Sequence, residues 1–122
     1  MRIVIADDSE ILRSRLVEML SEVEGIEVVA QARDSKEAIE AIKTHHPDAV
    51  IMDIRMPGND GFVVIETVRK AKRNKPKIIV FTNFPYLQYR KRCMDAGADF
   101  FFYKALEFEK LIALIKELAQ KN

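Results

Sequence analysis

Three aspartates stand at the ends of two short apolar runs, where carboxylates can do chemistry. Asp53 follows the run Ala49–Met52, and the pair Asp7 and Asp8 follows the apolar residues 3–6. If both runs are strands of one parallel sheet, their carboxyl ends open into a common crevice. A carboxylate in that position is a candidate nucleophile.

Three carboxylates in a small space would repel one another. Two unit charges about 4 Å apart at an effective dielectric near 20 repel by roughly 4 kcal/mol, so the cluster needs a cation or raised pKa values. Ligands that are all oxygen favour magnesium. The sequence therefore predicts a Mg²⁺ site that includes Asp7, Asp8 and Asp53.

Two further apolar runs also end in polar side chains. Residues 78–81 stop at Thr82, and residues 100–103 stop at Lys104. We expect transfer of a phosphoryl group onto Asp53, with Lys104 neutralising the phosphoryl oxygens and Thr82 donating a hydrogen bond to them.

Each of these residues also has an ordinary structural role open to it. Asp8 or Ser9 can cap a helix that follows, and Asp53 can accept a hydrogen bond within its turn. Thr82 and Lys104 can be plain strand-end residues. The coincidence of four such strand ends in one chain favours a functional site.

The elements that must position these residues follow from hydrophobic periodicity. Five short apolar runs alternate with five segments of helical spacing, which predicts an α/β fold with a doubly wound parallel sheet. The expected strands lie near residues 2–6, 26–32, 48–53, 77–82 and 99–103. The expected helices lie near residues 10–23, 35–45, 61–73, 86–96 and 107–120. The last helix has the clearest apolar stripe, which must pack on the sheet.

Signals for helix ends agree with these bounds. Asp34 or Ser35 can cap the second helix, and Pro85 suits the first turn of the fourth. Gly97 stands where the C-terminus of the fourth helix needs a left-handed residue.

The fourth helix differs from the others in composition. Its cations and aromatic rings leave a thin apolar stripe of Leu87, Met94 and Ala96. Weak packing predicts a helix that is easily displaced, although composition alone also fits an ordinary solvated edge helix. We interpret Cys93 as a buried or half-buried small hydrophobe.

Size and composition limit the classes of protein. The 122 residues, of which 48% are apolar, fit a single domain over 1–122 with nothing left for an output domain. The net charge of +1 gives no general attraction to nucleic acid or to a membrane. One cysteine, no bilayer-length apolar run and no secretory signal make the cytoplasm the expected location. We interpret His45, His46 and the basic stretch from Arg69 to Lys77 as surface features.

Taken together and in order, the motifs resemble those of the receiver domains of two-component response regulators, over essentially the whole chain. They are Asp7-Asp8, Asp53-x-x-Met56-Pro57-x-x-x-Gly61, Thr82, and Gly97-Ala98-Asp99 leading to Lys104. The resemblance implies a flavodoxin-like (βα)5 fold with strand order 2-1-3-4-5. It also implies that a sensor histidine kinase or histidine phosphotransfer protein phosphorylates Asp53. Asp8, Asp53 and the backbone carbonyl of Arg55 would then bind Mg²⁺ directly, and Asp7 through water.

The resemblance further implies a conformational switch. A phosphoryl group on Asp53 would draw Thr82 and the aromatic Phe101 inward, and so reposition the surface of helix 4, strand 5 and helix 5. That surface would control a downstream protein partner or form a homodimer. Its expected residues are Phe84, Tyr86, Tyr89, Arg90 and Phe101.

Several positions depart from the usual family pattern. Asn83 and Phe84 follow the switch threonine, where a small residue is common, and with Arg55 they shape access to the acyl phosphate. Ala105 stands after Lys104, where proline is frequent; a cis peptide without proline would cost about 2.5–4 kcal/mol.

Two other classes of function compete with this interpretation. A Mg²⁺-dependent phosphatase with an aspartyl nucleophile would usually have a second Asp where this chain has Arg55, and would need room for a cap. A flavodoxin-like binding module would need a Gly-rich loop after the first strand, which is missing. We therefore expect a signalling protein that catalyses only its own phosphorylation and dephosphorylation.

Overall fold

Strands and helices alternate along the chain in the computed structural model, which describes residues 1–56, 61–71, 75–83 and 87–121. The strands are β1 (Arg2–Ala6), β2 (Glu27–Ala32), β3 (Ala49–Met52), β4 (Lys77–Thr82) and β5 (Phe100–Tyr103). The helices are α1 (Glu10–Ser21), α2 (Ser35–His45), α3 (Gly61–Lys70), α4 (Leu87–Ala96) and α5 (Phe108–Gln120). The α/β fold class is confirmed, with small shifts at the element ends.

The five strands form one parallel sheet in the order β2-β1-β3-β4-β5, as predicted. In register, Ala6 pairs with Met52, and Met52 pairs with Val80. At the other edge of the site, Thr82 pairs with Tyr103. The residues that follow these strands therefore meet along one edge of the sheet.

Alternate side chains of the central strands fill two separate layers of the core. One layer joins the sheet to α1 and α5, and it includes Ile51, Leu111 and Ile115. The other covers the opposite face with α2, α3 and α4, and it includes Val50 and Ile65. Burial of each such side chain stabilises the fold by about 1.5–3 kcal/mol, which holds the edge that carries the site.

The helix ends settle the alternatives left open by the sequence. Ser9 caps α1, because its hydroxyl accepts from the Leu12 N–H at 3.2 Å. Asp34 caps α2, because its carboxylate accepts from the Glu37 N–H at 2.8 Å. Gly97 follows α4 with φ 116°, in the left-handed region that glycine adopts most easily, as predicted.

Helix α4 departs from its expected packing. Leu87 is 77% exposed and Met94 is 40% exposed, so the predicted stripe is wrong at both positions. Within Leu87–Ala96 the one fully buried residue is Cys93, as its interpretation as a small hydrophobe required. The helix therefore turns a thiol, rather than its larger apolar side chains, toward the sheet. Pro85 lies outside the described residues.

Two smaller findings concern helix length. Helix α3 ends at Lys70 rather than at residue 73, and the Ala71 N–H closes its last turn on the Val68 carbonyl at 3.2 Å. None of the helices in the described part of the chain is long and apolar enough to cross a membrane.

Candidate functional site

Three donors hold the carboxylate of Asp53, which follows β3 directly and is 7% exposed. Its Oδ1 accepts hydrogen bonds from the Thr82 hydroxyl at 2.6 Å and from the backbone N–H of Arg55 at 3.1 Å. Its Oδ2 accepts from Lys104 Nζ at 2.6 Å. Groups from the ends of β4 and β5 therefore orient both oxygens of the candidate nucleophile.

Lys104 joins two buried acidic side chains. Its Nζ lies 2.6 Å from Oδ2 of Asp53 and 2.6 Å from Oδ2 of Asp7. Burial by itself lowers the pKa of Lys104, but the hydrogen bonds to the two carboxylates outweigh burial, and the pKa is raised. Lys104 is therefore charged at neutral pH and supplies the site with a fixed positive charge.

Each polar atom of Asp7 makes a hydrogen bond or an ion pair, and the residue is only 2% exposed. Its N–H donates to the Ala32 carbonyl at 2.9 Å, and its Oδ1 accepts from the Ser9 N–H at 2.8 Å. Its carbonyl accepts from the Arg13 guanidinium at 2.5 Å, a contact that sequence reasoning missed. Burial raises the pKa of Asp7, and the hydrogen bond from Lys104 offsets part of that rise.

Asp8 differs from this pair in its burial. It is exposed, and no three His, Cys, Asp or Glu side chains among the described residues are grouped to hold a metal ion. Lys104 lies between the carboxylates of Asp7 and Asp53 in this structure, and a Mg²⁺ site shared by Asp7, Asp8 and Asp53 stays a prediction. The donors themselves fit Mg²⁺, since they are carboxylate and carbonyl oxygens and the buried pair already attracts a cation.

Gly61 has a structural role that its place in the motif did not reveal. A Cβ built on Gly61 would lie 2.6 Å from the Cα of Ile54 and 2.9 Å from the carbonyl oxygen of Asp53. The Gly61 N–H also donates to the Ile54 carbonyl at 2.8 Å. The first residue of α3 therefore lies against the backbone of Asp53 and Ile54, and only glycine leaves room for that approach.

Thr82 and Phe101, the two residues predicted to switch, are both buried. The Asp53 carboxylate itself accepts the Thr82 hydroxyl, and Phe101 is only 5% exposed. The Asp53 carboxylate and the core hold both side chains in this structure, and the effect of a phosphoryl group on them stays a prediction. Tyr89 is half-buried and Arg90 is exposed. Phe84 and Tyr86, the other two predicted residues of the partner surface, lie outside the described residues.

A cleft of about 330 Å³ opens beside Lys104, between the start of α1 and the β5–α5 loop. Its walls include Ser9, Arg15, Asn83, Lys104 and Phe108. Asn83, one of the departures from the family pattern, is an exposed residue of this cleft.

No cis peptide occurs among the described residues, so the Lys104–Ala105 bond is trans.

Fold and site together define the class: a flavodoxin-like α/β domain whose sheet edge holds an aspartate between a hydroxyl and an ammonium group. The family model of the response regulator receiver domain matches residues 3–116. The chain belongs to that family.

Relatives and solved structures agree with this assignment. The chain is 40% identical to the transcriptional regulatory protein PdtaR of Mycobacterium tuberculosis over 94% of its own length and 55% of that protein. It is similar to the receiver domain of the putative response regulator NarL from the same species, with TM-score 0.88, 28% identity and coverage of 99% and 97% of the two chains. It is also similar to a chain of the CheX-CheY-BeF3-Mg²⁺ complex from Borrelia burgdorferi, with TM-score 0.86, 26% identity and coverage of 97% and 88%. The chain thus spans about half the length of the curated relatives it matches.

Proposed function

We propose that Asp53 accepts a phosphoryl group from a phosphohistidine, carried by a sensor histidine kinase or a histidine phosphotransfer protein. The observation that supports this best is the Asp53 carboxylate, which is buried and lies 2.6 Å from both the Thr82 hydroxyl and the Lys104 ammonium. A carboxylate that served structure alone would not need both a hydroxyl and an ammonium donor beside it.

The transfer is a displacement at phosphorus. An Asp53 oxygen attacks, so a P–O bond forms while the P–N bond to the donor breaks and the imidazole leaves with the electron pair. Lys104 and Thr82 pass their hydrogen bonds from the carboxylate to the phosphoryl oxygens as negative charge arrives there. Because the fold fixes both donors beforehand, little reorganisation is needed during the reaction.

Mg²⁺ is the cofactor we propose for this site. Asp8, Asp53 and the backbone carbonyl of Arg55 would hold it directly, with Asp7 acting through water. The ion supplies charge neutralisation between the carboxylates and the incoming phosphoryl oxygens. The solved CheX-CheY complex contains Mg²⁺ and BeF3 by its own description, which supports the choice of ion.

The chemistry is confined to this chain. We propose that it catalyses only its own phosphorylation and dephosphorylation and turns over no other substrate. Its output would be the surface of α4, β5 and α5, which includes Tyr89, Arg90 and Phe101 and would bind a downstream protein or a second copy of the chain.

Intact-protein mass tests the proposal. The wild type is incubated with Mg²⁺ and acetyl phosphate, beside the isosteric variant Asp53→Asn as the matched control. One added phosphoryl group on the wild type alone, lost when Mg²⁺ is chelated, is the expected result. If neither acetyl phosphate nor a phosphohistidine donor modifies the wild type, the proposed function is wrong.

A further inference from the structure

Arg13 is a half-buried cation of α1 whose side chain bonds the backbone beside the acidic pair. Its Nη1 donates to the carbonyl oxygen of Asp7 at 2.5 Å, and its Nε donates to the side-chain oxygen of Gln31 in β2 at 3.3 Å. Both acceptors are uncharged oxygens, so these bonds hold the chain in place rather than neutralise a carboxylate. The proposed phosphoryl transfer makes no use of this arginine, and its contact with Asp7 needs a separate explanation.

The carbonyl that Arg13 holds belongs to the peptide bond between Asp7 and Asp8. Because a peptide unit is planar, a donor that fixes this carbonyl also fixes the direction in which the backbone of Asp8 continues. Helix α1 keeps Arg13 at this point, since its N–H donates to the carbonyl oxygen of Ser9 at 3.0 Å. The side chain of Arg13 therefore closes over the three residues that join β1 to α1.

The peptide on the other side of Asp8 is fixed as well. The N–H of Ser9 donates to Oδ1 of Asp7 at 2.8 Å, and the hydroxyl of Ser9 accepts from the Leu12 N–H at 3.2 Å. Both peptide units that flank Asp8 are thus held, while Asp8 itself is exposed. An exposed carboxylate on a fixed backbone is preorganised for a ligand, because less conformational freedom is lost when the ligand binds.

We infer that Arg13 is a positioning residue for Mg²⁺, which holds the Asp7–Asp8 peptide so that Asp8 can bind the ion together with Asp53. The inference rests on the proposed function, because it adds a residue to the metal site proposed there. Replacing a residue that orients a metal ligand commonly costs about 10–100-fold in metal affinity. Arg13 acts on the backbone rather than on the carboxylate, so we expect an effect of about tenfold, at the lower end of that range.

Charge and position make opposite predictions for Arg13. A guanidinium beside the site repels Mg²⁺, so its removal would tighten metal binding if charge were its only influence. Removal of a residue that positions Asp8 weakens metal binding instead. The variant Arg13→Met keeps an unbranched side chain without the guanidinium, and the sign of its change in Mg²⁺ affinity separates the two alternatives.

Calorimetric titration with Mg²⁺ at pH 7.5 compares the wild type with these variants. We expect Arg13→Met to bind Mg²⁺ about tenfold more weakly than the wild type. Arg13→Lys keeps the charge and a donor but loses the planar fork, and its affinity should fall between the two. Arg33 is the matched control, because it follows the residue whose carbonyl accepts the Asp7 N–H and its own guanidinium pairs with Glu37 at 3.2 Å. Arg33→Met should keep the wild-type affinity.

A measurement without metal separates positioning from a general loss of stability. In EDTA, hydrogen exchange at the Ser9 amide reports its bond to Asp7, and exchange in the middle of α1 reports the stability of that helix. In Arg13→Met the amide resonances of Asp8 and Ser9 should shift and the Ser9 amide should exchange faster. Amides in the middle of α1 should exchange at the wild-type rate, and Arg33→Met should change none of these signals.

The dependence of phosphorylation on Mg²⁺ supplies a second readout. With acetyl phosphate, Arg13→Met should need about tenfold more Mg²⁺ to reach half of its maximal rate, and should reach the wild-type rate when the ion saturates. Unchanged or tighter Mg²⁺ binding in Arg13→Met would overturn the inference. An equal loss of affinity in Arg33→Met would overturn it too, because that variant leaves the Asp7 carbonyl its donor.

The inference and the proposed function fail on different results. If no phosphoryl donor modifies the wild type, the proposed function is wrong, while the Mg²⁺ affinities and the exchange in EDTA still decide the role of Arg13. If the wild type binds no Mg²⁺, the inference is wrong together with the proposed cofactor. If Arg13→Met lowers the maximal rate and leaves the Mg²⁺ affinity unchanged, Arg13 acts on the transfer or on the donor rather than on the metal.

Discussion

Thr82 donates its hydroxyl hydrogen to Oδ1 of Asp53 over 2.6 Å, and the bond links the ends of β4 and β3. Hydrogen bonds to a charged acceptor are shorter and stronger than neutral ones, and this one is buried. The bond orients the carboxylate of Asp53, which we propose as the nucleophile. It also fixes the side chain of Thr82, which we propose as a switch residue. One hydrogen bond would therefore couple the two proposed roles.

Removal of that hydroxyl should slow phosphorylation more than it destabilises the fold. Thr82→Val keeps the shape of the side chain, and Asp53 retains the Arg55 N–H and Lys104 as donors. We expect the rate of phosphorylation by acetyl phosphate to fall about tenfold or more, since a preorganised donor is lost. Thr82→Ser should retain most of the rate. Equal rates in the valine and serine variants would remove Thr82 from the reaction.

Replacement of Lys104 should destabilise the fold, because its ammonium offsets the repulsion between the carboxylates of Asp7 and Asp53. In Lys104→Met the buried carboxylates of Asp7 and Asp53 lose the cation that lies between them. We expect a loss of about 3–5 kcal/mol in the free energy of unfolding at pH 7. The deficit should shrink as the pH falls, because protonation of Asp7, whose pKa is raised by burial, removes the repulsion. Urea unfolding at decreasing pH measures it. Lys110→Met, in which an exposed lysine loses its 3.4 Å pairing with Glu107, should change little.

The same variant tests whether Lys104 and Mg²⁺ compete for the carboxylates. If the ion is held as we propose, removing the ammonium should tighten Mg²⁺ binding by about tenfold, an effect equal to roughly 1.4 kcal/mol. Calorimetric titration of Lys104→Met and the wild type at pH 7.5 compares the two affinities. Asp53→Asn should lose most of the binding. An unchanged affinity in Lys104→Met would mean that the ion and the lysine do not share these oxygens.

Asp7 should make the protein less stable at neutral pH than a neutral side chain would. Its pKa is raised in the folded state, so its contribution to stability is full at low pH and is lost as the pH rises through the folded pKa. We therefore expect Asp7→Asn to gain about 0.5–2 kcal/mol at pH 7, a gain that disappears below about pH 4. Thermal melts against pH measure this. The exposed neighbour variant Asp8→Asn should show no such gain.

Gly61→Ala should damage the site through the backbone. The added methyl would meet the Cα of Ile54 at 2.6 Å, so α3 or the Asp53 loop must move, at a cost of about 1–3 kcal/mol. Gly25→Ala is the control, because Gly25 has φ 85° with no atom near its Cβ position, so alanine there is strained but remote from the site. Both variants should lose stability, and only Gly61→Ala should lose phosphorylation by acetyl phosphate.

Much of the fold could be predicted from local pattern. The change between strand and helical periodicity located all the described elements, since buried parallel strands are continuous apolar runs and amphipathic helices repeat every three to four residues. The α4 stripe was wrong because it depends on which face of that helix packs against the sheet. Leu87 and Met94 are apolar, yet the face of α4 that meets the core is the one with Cys93.

The sequence by itself determined which residues could do chemistry, because Asp53, Thr82 and Lys104 each follow a strand and parallel strands end at one edge. Only the tertiary structure decided how they meet. It placed Lys104 between Asp7 and Asp53, left Asp8 exposed, and set Gly61 against the backbone of Asp53 and Ile54. Those outcomes depend on side-chain direction, burial and the close approach of separate segments. Such quantities arise from the packing of the whole chain, and no local stretch of sequence contains them.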